Sequence, residues 1–160
     1  MTTIPMNRIL VTTDGSELGQ HALIHAQGLA QALGAELIVL SIQTDPLVAA
    51  YGEYAYAMPT PNETMDEMKA CLEHILHERV PDARIMVERA QGRHVSCAIL
   101  DVAREEGAQM IVMTTHGRSG LGRALMGSVA QAVAQHSPVP VLLIKGDQGP
   151  VDWGKSAAPS

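Results

Sequence analysis

MIVMTTHGRSGLGRALMGSVAQAVAQHSPVPVLLIK, residues Met110 to Lys145, decides how the rest of the chain is read. An apolar, strand-like run (Met110 to Met113) leads into a loop with glycines at 117, 120 and 122. A helix pattern with Leu125, Val129 and Val133 follows, opening near Gly127-Ser128, and a second apolar run (Val139 to Ile144) closes the unit. Strand, glycine loop, helix, strand is the layout that sets backbone N–H groups against a phosphate. Gly117, Gly120 and Gly122 remove side chains where a backbone comes close to a ligand or turns sharply. Arg118, Ser119 and Arg123 add cationic and hydroxyl donors. Gly127-Ser128 falls where free helix N–H groups favour an anion. Spacing alone leaves a second reading open, a plain turn with Ser128 as the helix N-cap.

Working outward, the same alternation of strand and helix fills the chain. Arg8 to Thr13 is β-rich and ends at Asp14-Gly15-Ser16. Leu18, Ala22, Ala26, Leu29 and Leu33 recur at helical spacing up to Gly34. Glu36 to Ile42 is apolar on both faces, which fits a covered parallel strand. Met65, Met68, Cys71, Leu72, Ile75 and Leu76 make a helix face after a capping Asn62, and Pro81 ends it. Arg84 to Arg89 reads as a strand nearer the sheet edge. Val95, Ala98, Ile99, Val102 and Ala103 form the next helix face, which stops at Gly107. Gln43 to Pro61 has no clear period and is either a surface loop or a lid. Strands separated by helices imply an α/β fold with a parallel sheet and right-handed crossovers. Ligands then bind at the carboxyl ends of the strands, where strand order reverses. If the first strand is central, Thr12 to Ser16 and Thr114 to Ser128 meet there; periodicity leaves the order open. Residues 1–146 are expected to form one domain and 147–160 (DQGPVDWGKSAAPS) a mostly disordered tail, with Trp153 either free or docked on the body or a partner.

The totals restrict function. The chain has 160 residues, 46% hydrophobic and 18% charged, with no Phe, one Trp, three Tyr and nine Met, so an aliphatic core is expected. A net charge of −6 argues against sequence-independent nucleic-acid binding. Cys71 and Cys97 are read as reduced core or near-core thiols. No apolar run reaches the ~18 residues of a membrane span, and MTTIPMNR carries no hydrophobic signal region, so a cytoplasmic protein is expected. Asp14, at the end of strand one, suits a ribose hydroxyl or a divalent cation on phosphates, or else caps the next helix. His116 reads as a hydrogen-bonding or packing residue. His21 and His25 stand four apart, a spacing open to a metal but read as the wet face of the first helix. There is no G-x-x-x-x-G-K-[ST] loop, no G-x-G-x-x-G in the first βα turn and no G-x-S-x-G elbow. No general base stands beside the loop, which favours binding over turnover.

Residues Asn7 to Lys145 resemble the universal stress protein family. Its nucleotide-binding members carry G-x2-G-x9-G-[ST] after strand four. Gly117, the nine residues Arg118 to Met126, and Gly127-Ser128 match the second part, while Thr114 stands where the first glycine is expected. ILVTTDGSE and SPVPVLLIK are similar to the family's first and last strands. The resemblance implies a Rossmann-like three-layer sandwich (of the HUP, adenine nucleotide alpha hydrolase-like, type). Its five-stranded parallel sheet would have the order 3-2-1-4-5. It also implies a homodimer through Val139 to Ile144 and a bound adenine nucleotide: ATP, or AMP or ADP in the same pocket. Adenine would lie against Ile42, and ribose and a Mg²⁺ ion near Asp14. Thr12, Thr13 and Thr114 would flank the ligand. Gly117, Arg118, Ser119, Gly127, Ser128 and Val129 would surround the phosphates. The expected function is a nucleotide-responsive stress regulator that is not an enzyme. The alternatives are a slow Mg-dependent ATPase or phosphotransferase, with His116 or Asp14 assisting, and a nucleotide-free dimeric interaction module.

Overall fold

Five parallel strands stand in the order β3-β2-β1-β4-β5, the order implied by the resemblance. The computed structural model describes residues 5–13, 17–44, 63–115, 126–145, 149 and 151–154. The strands are β1 (Arg8–Thr12), β2 (Glu36–Gln43), β3 (Arg84–Arg89), β4 (Met110–Thr114) and β5 (Val141–Ile144). The helices among the described residues are α1 (Glu17–Leu33), α2 (Glu63–Leu76), α3 (Val95–Glu105) and α4 (Ser128–His136).

β1 is central because Ile9, Leu10 and Val11 are all apolar and all fully buried; a strand covered on both faces needs no alternation. Ile9 and Val11 join Leu37 and Val39 of β2 under α1 and α2. Leu10 joins Ile38 and Leu40 on the opposite face, under Ile99, Val102 and Ala103 of α3 and Ala130 and Val133 of α4. Helix, sheet and helix make the three layers. The core is aliphatic throughout, and Trp153 is the one Phe, Tyr or Trp ring among the described residues.

Two helices end the same way. Gly34 and Gly107 take φ of +66° and +65°, which a residue with a Cβ rarely adopts. The N–H one residue later reaches back to the last turn, Ala35 to Ala30 O and Ala108 to Ala103 O, each 2.9 Å. Each closure turns the chain into the next strand: the N–H of Glu36 donates to Asn7 O and that of Gln109 to Arg8 O. At this amino-terminal end of the sheet, Glu36 holds Arg8 at 2.9 Å and Arg84 at 3.3 Å. Arg84 also pairs with the Glu106 carboxylate, and Arg8 donates to the Glu106 carbonyl. The hydrogen bond to Glu106 is the main reason the Arg84 guanidinium pKa is raised above its ordinary value.

Three expectations need correction. Cys71 and Cys97 are exposed rather than near the core. α2 packs against edge strand β3, so among its described side chains Leu72 and Leu76 reach the core while Ile75 stays half exposed. His25 lies inside instead of on the wet face, at 2% exposure. α1 packs across β1, β2, β4 and β5, so its buried arc is wide, although Leu33 at its end is 48% exposed. Docking on the body, left open for Trp153 by the sequence, is what the described residues show: the ring packs against the core on the α1 side. Among the described residues no three His, Cys, Asp or Glu gather to hold a metal. No described helix is long and apolar enough to cross a membrane.

Candidate functional site

β1 hands its chain to β2 on one side, whereas the crossover from β3 carries the chain to β4 on the other. The connections that leave the carboxyl ends of the neighbouring strands β1 and β4 therefore run to opposite sides, and a crevice opens there. A cavity of about 400 Å³ lies there, within the range of small-molecule sites. Thr12 and Thr13 from β1 and Thr114 and Thr115 from β4 line it, with Ile42 and Gln43 from β2. Val95 and Ile99 of α3 and the first turn of α4 (Gly127 to Ala130) close it.

The start of α4 carries the chemistry. Gly127 is the N-cap, with φ −59° and ψ 150°, and has no side chain to satisfy the helix. Its own N–H donates to Thr115 O at 2.6 Å, and its carbonyl accepts the first helical bond from Gln131 at 3.0 Å. The N–H groups of Ser128, Val129 and Ala130 are left without helical partners, as at every helix start. No side-chain cap reaches them, and their residues line the cavity. Together they present partial positive charge. The rest of the lining alternates hydroxyls (Thr12, Thr13, Ser41, Thr114, Ser128) with aliphatic groups (Leu40, Ile42, Val95, Ile99). Such a surface suits a flat, weakly polar ring, a polyhydroxyl part and one anionic end. Ser41 is 4% exposed and accepts a 2.9 Å hydrogen bond from Gln43 Nε2, which ties the end of β2 in place.

Of the residues expected at the site, Thr12, Thr13, Ile42, Thr114, Gly127, Ser128 and Val129 come together around this cavity. Asp14, Gly117, Arg118 and Ser119 lie outside the described residues, as do His116 and the segment 45–61. Two roles are sharpened. Ser128 is the first helical residue rather than the cap. Gly127 keeps space open, while its N–H is engaged by Thr115. Sequence reasoning missed Val95 and Ile99, which had been read only as a packing face. Their apolar spacing is the same whether a helix meets a core or a cavity. Ser41, a polar residue in the otherwise apolar run LIVLSI (Leu37 to Ile42), is the available signal on β2.

Fold and crevice define a doubly wound α/β protein with a small-molecule cavity at its strand reversal. The model of the universal stress protein family matches residues 6–145, and the chain belongs to that family. It is 31% identical over 148 residues to universal stress protein YxiE of Bacillus subtilis, covering 87% of this chain and 99% of that one. It is 32% identical over 142 residues to a universal stress protein of Mycolicibacterium smegmatis, covering 86% of this chain but 45% of that relative's length. Among solved structures, hypothetical protein MJ0577, whose biochemical function was assigned from its structure, superposes with a TM-score of 0.70 at 26% identity, covering 91% and 100% of the two chains. A universal stress protein from Archaeoglobus fulgidus, solved in complex with dAMP, shares the fold with a TM-score of 0.59 at 24% identity, covering 89% and 100%.

Proposed function

We propose that this protein binds an adenine nucleotide, ATP or its di- or monophosphate, in the crevice between β1 and β4, and that it acts as a nucleotide-responsive stress regulator rather than as an enzyme. The observation that carries the reading is the uncapped first turn of α4 opening into the cavity. Phosphate oxygens would accept from the N–H groups of Ser128 and Val129 and from the Ser128 hydroxyl. The adenine ring would lie between Ile42 and the aliphatic wall of Val95 and Ile99. The ribose would meet Thr12 and Thr13. Thr114 presents a hydroxyl where a glycine would present none, and in this reading it donates to the ligand. The dAMP complex of a protein with this fold is consistent with an adenine ligand. A Mg²⁺ ion would be held chiefly by phosphate oxygens, with Asp14 beside it; it would supply charge neutralisation.

The regulator is further proposed to be a cytoplasmic homodimer joined along β5. Among the described residues that strand is hydrogen-bonded on one side only, to β4, and its Val141, Leu142 and Leu143 are half-buried. Mass spectrometry of small molecules released on denaturing the purified protein tests the ligand, together with calorimetric titration with ATP and AMP. An adenine nucleotide released, or bound and left chemically unchanged on long incubation, is the expected outcome. No release and no heat with either nucleotide overturns the reading; steady conversion of ATP overturns its non-catalytic part.

A further inference from the structure

Trp153 lies nine residues beyond the end of β5 and yet packs against the core cluster that contains α1 and Ile144. Its seat is Gly28, on α1. A Cβ built at Gly28 would come within 3.2 Å of the indole Cδ1, tighter than an ordinary contact, so the absence of a side chain makes the socket. Leu142 of β5 packs against the same cluster. Among the described residues of this segment the hold is a single ring. Among the described residues the only hydrogen bond of 151–154 is local, from Gly154 N–H to Asp152 Oδ1 at 2.9 Å. The indole Nε1 is buried with no hydrogen-bond partner, which offsets part of the gain from burying the ring. Val151, beside it, is 40% exposed. A segment held by one ring, with one polar group unsatisfied, is poised to release.

The two elements beside this contact lead to opposite walls of the crevice. α1 follows directly on the loop that leaves Thr12 and Thr13. The last residue of β5, Ile144, accepts the Thr115 N–H at 2.9 Å, and Thr115 O in turn accepts the N–H of Gly127, the cap of α4. We propose that the segment around Trp153 is a releasable latch: docked at Gly28 it braces α1 against β5 and so holds the β4–α4 wall of the cavity in its binding geometry. Release loosens the Thr115 and Gly127 hydrogen bonds. By reciprocity, a ligand that needs that wall in place tightens the latch. Only this last consequence rests on the nucleotide reading.

Trp153 is the only tryptophan in the chain, so its fluorescence reports the latch directly. Gly28→Leu fills the socket while raising helix propensity, and Trp153→Ala removes the ring. In the full-length protein, Gly28→Leu is expected to shift tryptophan emission to the red and to raise acrylamide quenching severalfold, with the far-ultraviolet spectrum unchanged. Both variants are expected to speed hydrogen exchange at the Thr115 and Gly127 amides about tenfold, while the Leu37 to Leu40 amides keep their protection. Titration with AMP is expected to give at least threefold weaker binding in both variants than in wild type. Unchanged emission in Gly28→Leu shows that the ring is not seated there and overturns the proposal. So does unchanged exchange at Thr115 and Gly127 in both variants. If exchange changes as expected but wild type takes up no AMP, the latch stands and the nucleotide reading falls.

Discussion

Gly127 has a backbone conformation (φ −59°, ψ 150°) open to any residue and suited to the position before a proline. Its glycine identity is therefore a matter of space in the cavity, not of strain. Gly127→Val is expected to fold normally and to lose nucleotide binding by calorimetry. Ser128 stands at the first helical position, where proline is well tolerated. Ser128→Pro would delete its N–H and hydroxyl together without breaking α4. It is expected to keep the melting temperature and to weaken nucleotide binding at least tenfold, as loss of a charge-assisted hydrogen bond of ~1.5–3 kcal/mol implies. An affinity equal to wild type would place the anion elsewhere. At this scale the sequence was legible where chemistry and spacing coincide: Gly127-Ser128 at a strand-loop-helix junction lines the cavity as expected. It was illegible where burial depends on a neighbour. His25 was assigned to water because histidine is polar, yet α1 crosses four strands and carries it inside.

Elements were read more surely than their faces. All five strands fall on the stretches expected, with β2 and β4 each running one residue further, to Gln43 and Thr114, because β-branched runs bounded by Gly, Pro and Asp leave little choice. The stripe on α2 was drawn too wide, since periodicity cannot say that a helix covers the sheet's edge rather than its middle. The strand order came from family resemblance, as periodicity carries no information on which strands are neighbours. Residues 151–154 depart from what the surrounding composition suggests: Gly, Pro and Ser point to a free tail, but one large ring holds these four locally. Removing 149–160 is expected to cost about 1–2 kcal/mol, from indole burial less its unmade hydrogen bond. That corresponds to a fall of roughly 2–8 °C in thermal unfolding followed by circular dichroism. A melting temperature equal to wild type would show the ring adds nothing. At the opposite end of the sheet, Glu36→Gln is expected to cost under about 1 kcal/mol in urea unfolding, since both of its arginine pairs are about 40% exposed. The raised pKa of Arg84 means that its pairing is fully present below the ordinary arginine value and is lost only as pH climbs past its still higher folded value, so no change across the neutral range comes from it.

The whole molecule is divided between its two ends. The cluster of Arg8, Glu36, Arg84 and Glu106 and two helix closures stand at the amino-terminal edge of the sheet, and the cavity, with its uncapped helix start, occupies the carboxyl edge. Leu10 lies between them, fully buried under α3 and α4. Leu10→Ala is expected to cost 2–5 kcal/mol, checked by denaturant midpoint at constant slope. If two copies join along β5 as proposed, Val141→Lys is expected to shift sedimentation from dimer toward monomer; an unaltered profile would overturn the β5 interface. The aliphatic core has a spectroscopic consequence. Ring currents, which spread the methyl resonances of most proteins, have few sources in the described body beyond histidine imidazoles and Trp153. The buried Ile, Leu and Val methyls should crowd into a narrow band of the proton spectrum. The methyls displaced upfield from that band should belong to residues around Gly28, and the molecule thereby marks one corner of its own interior.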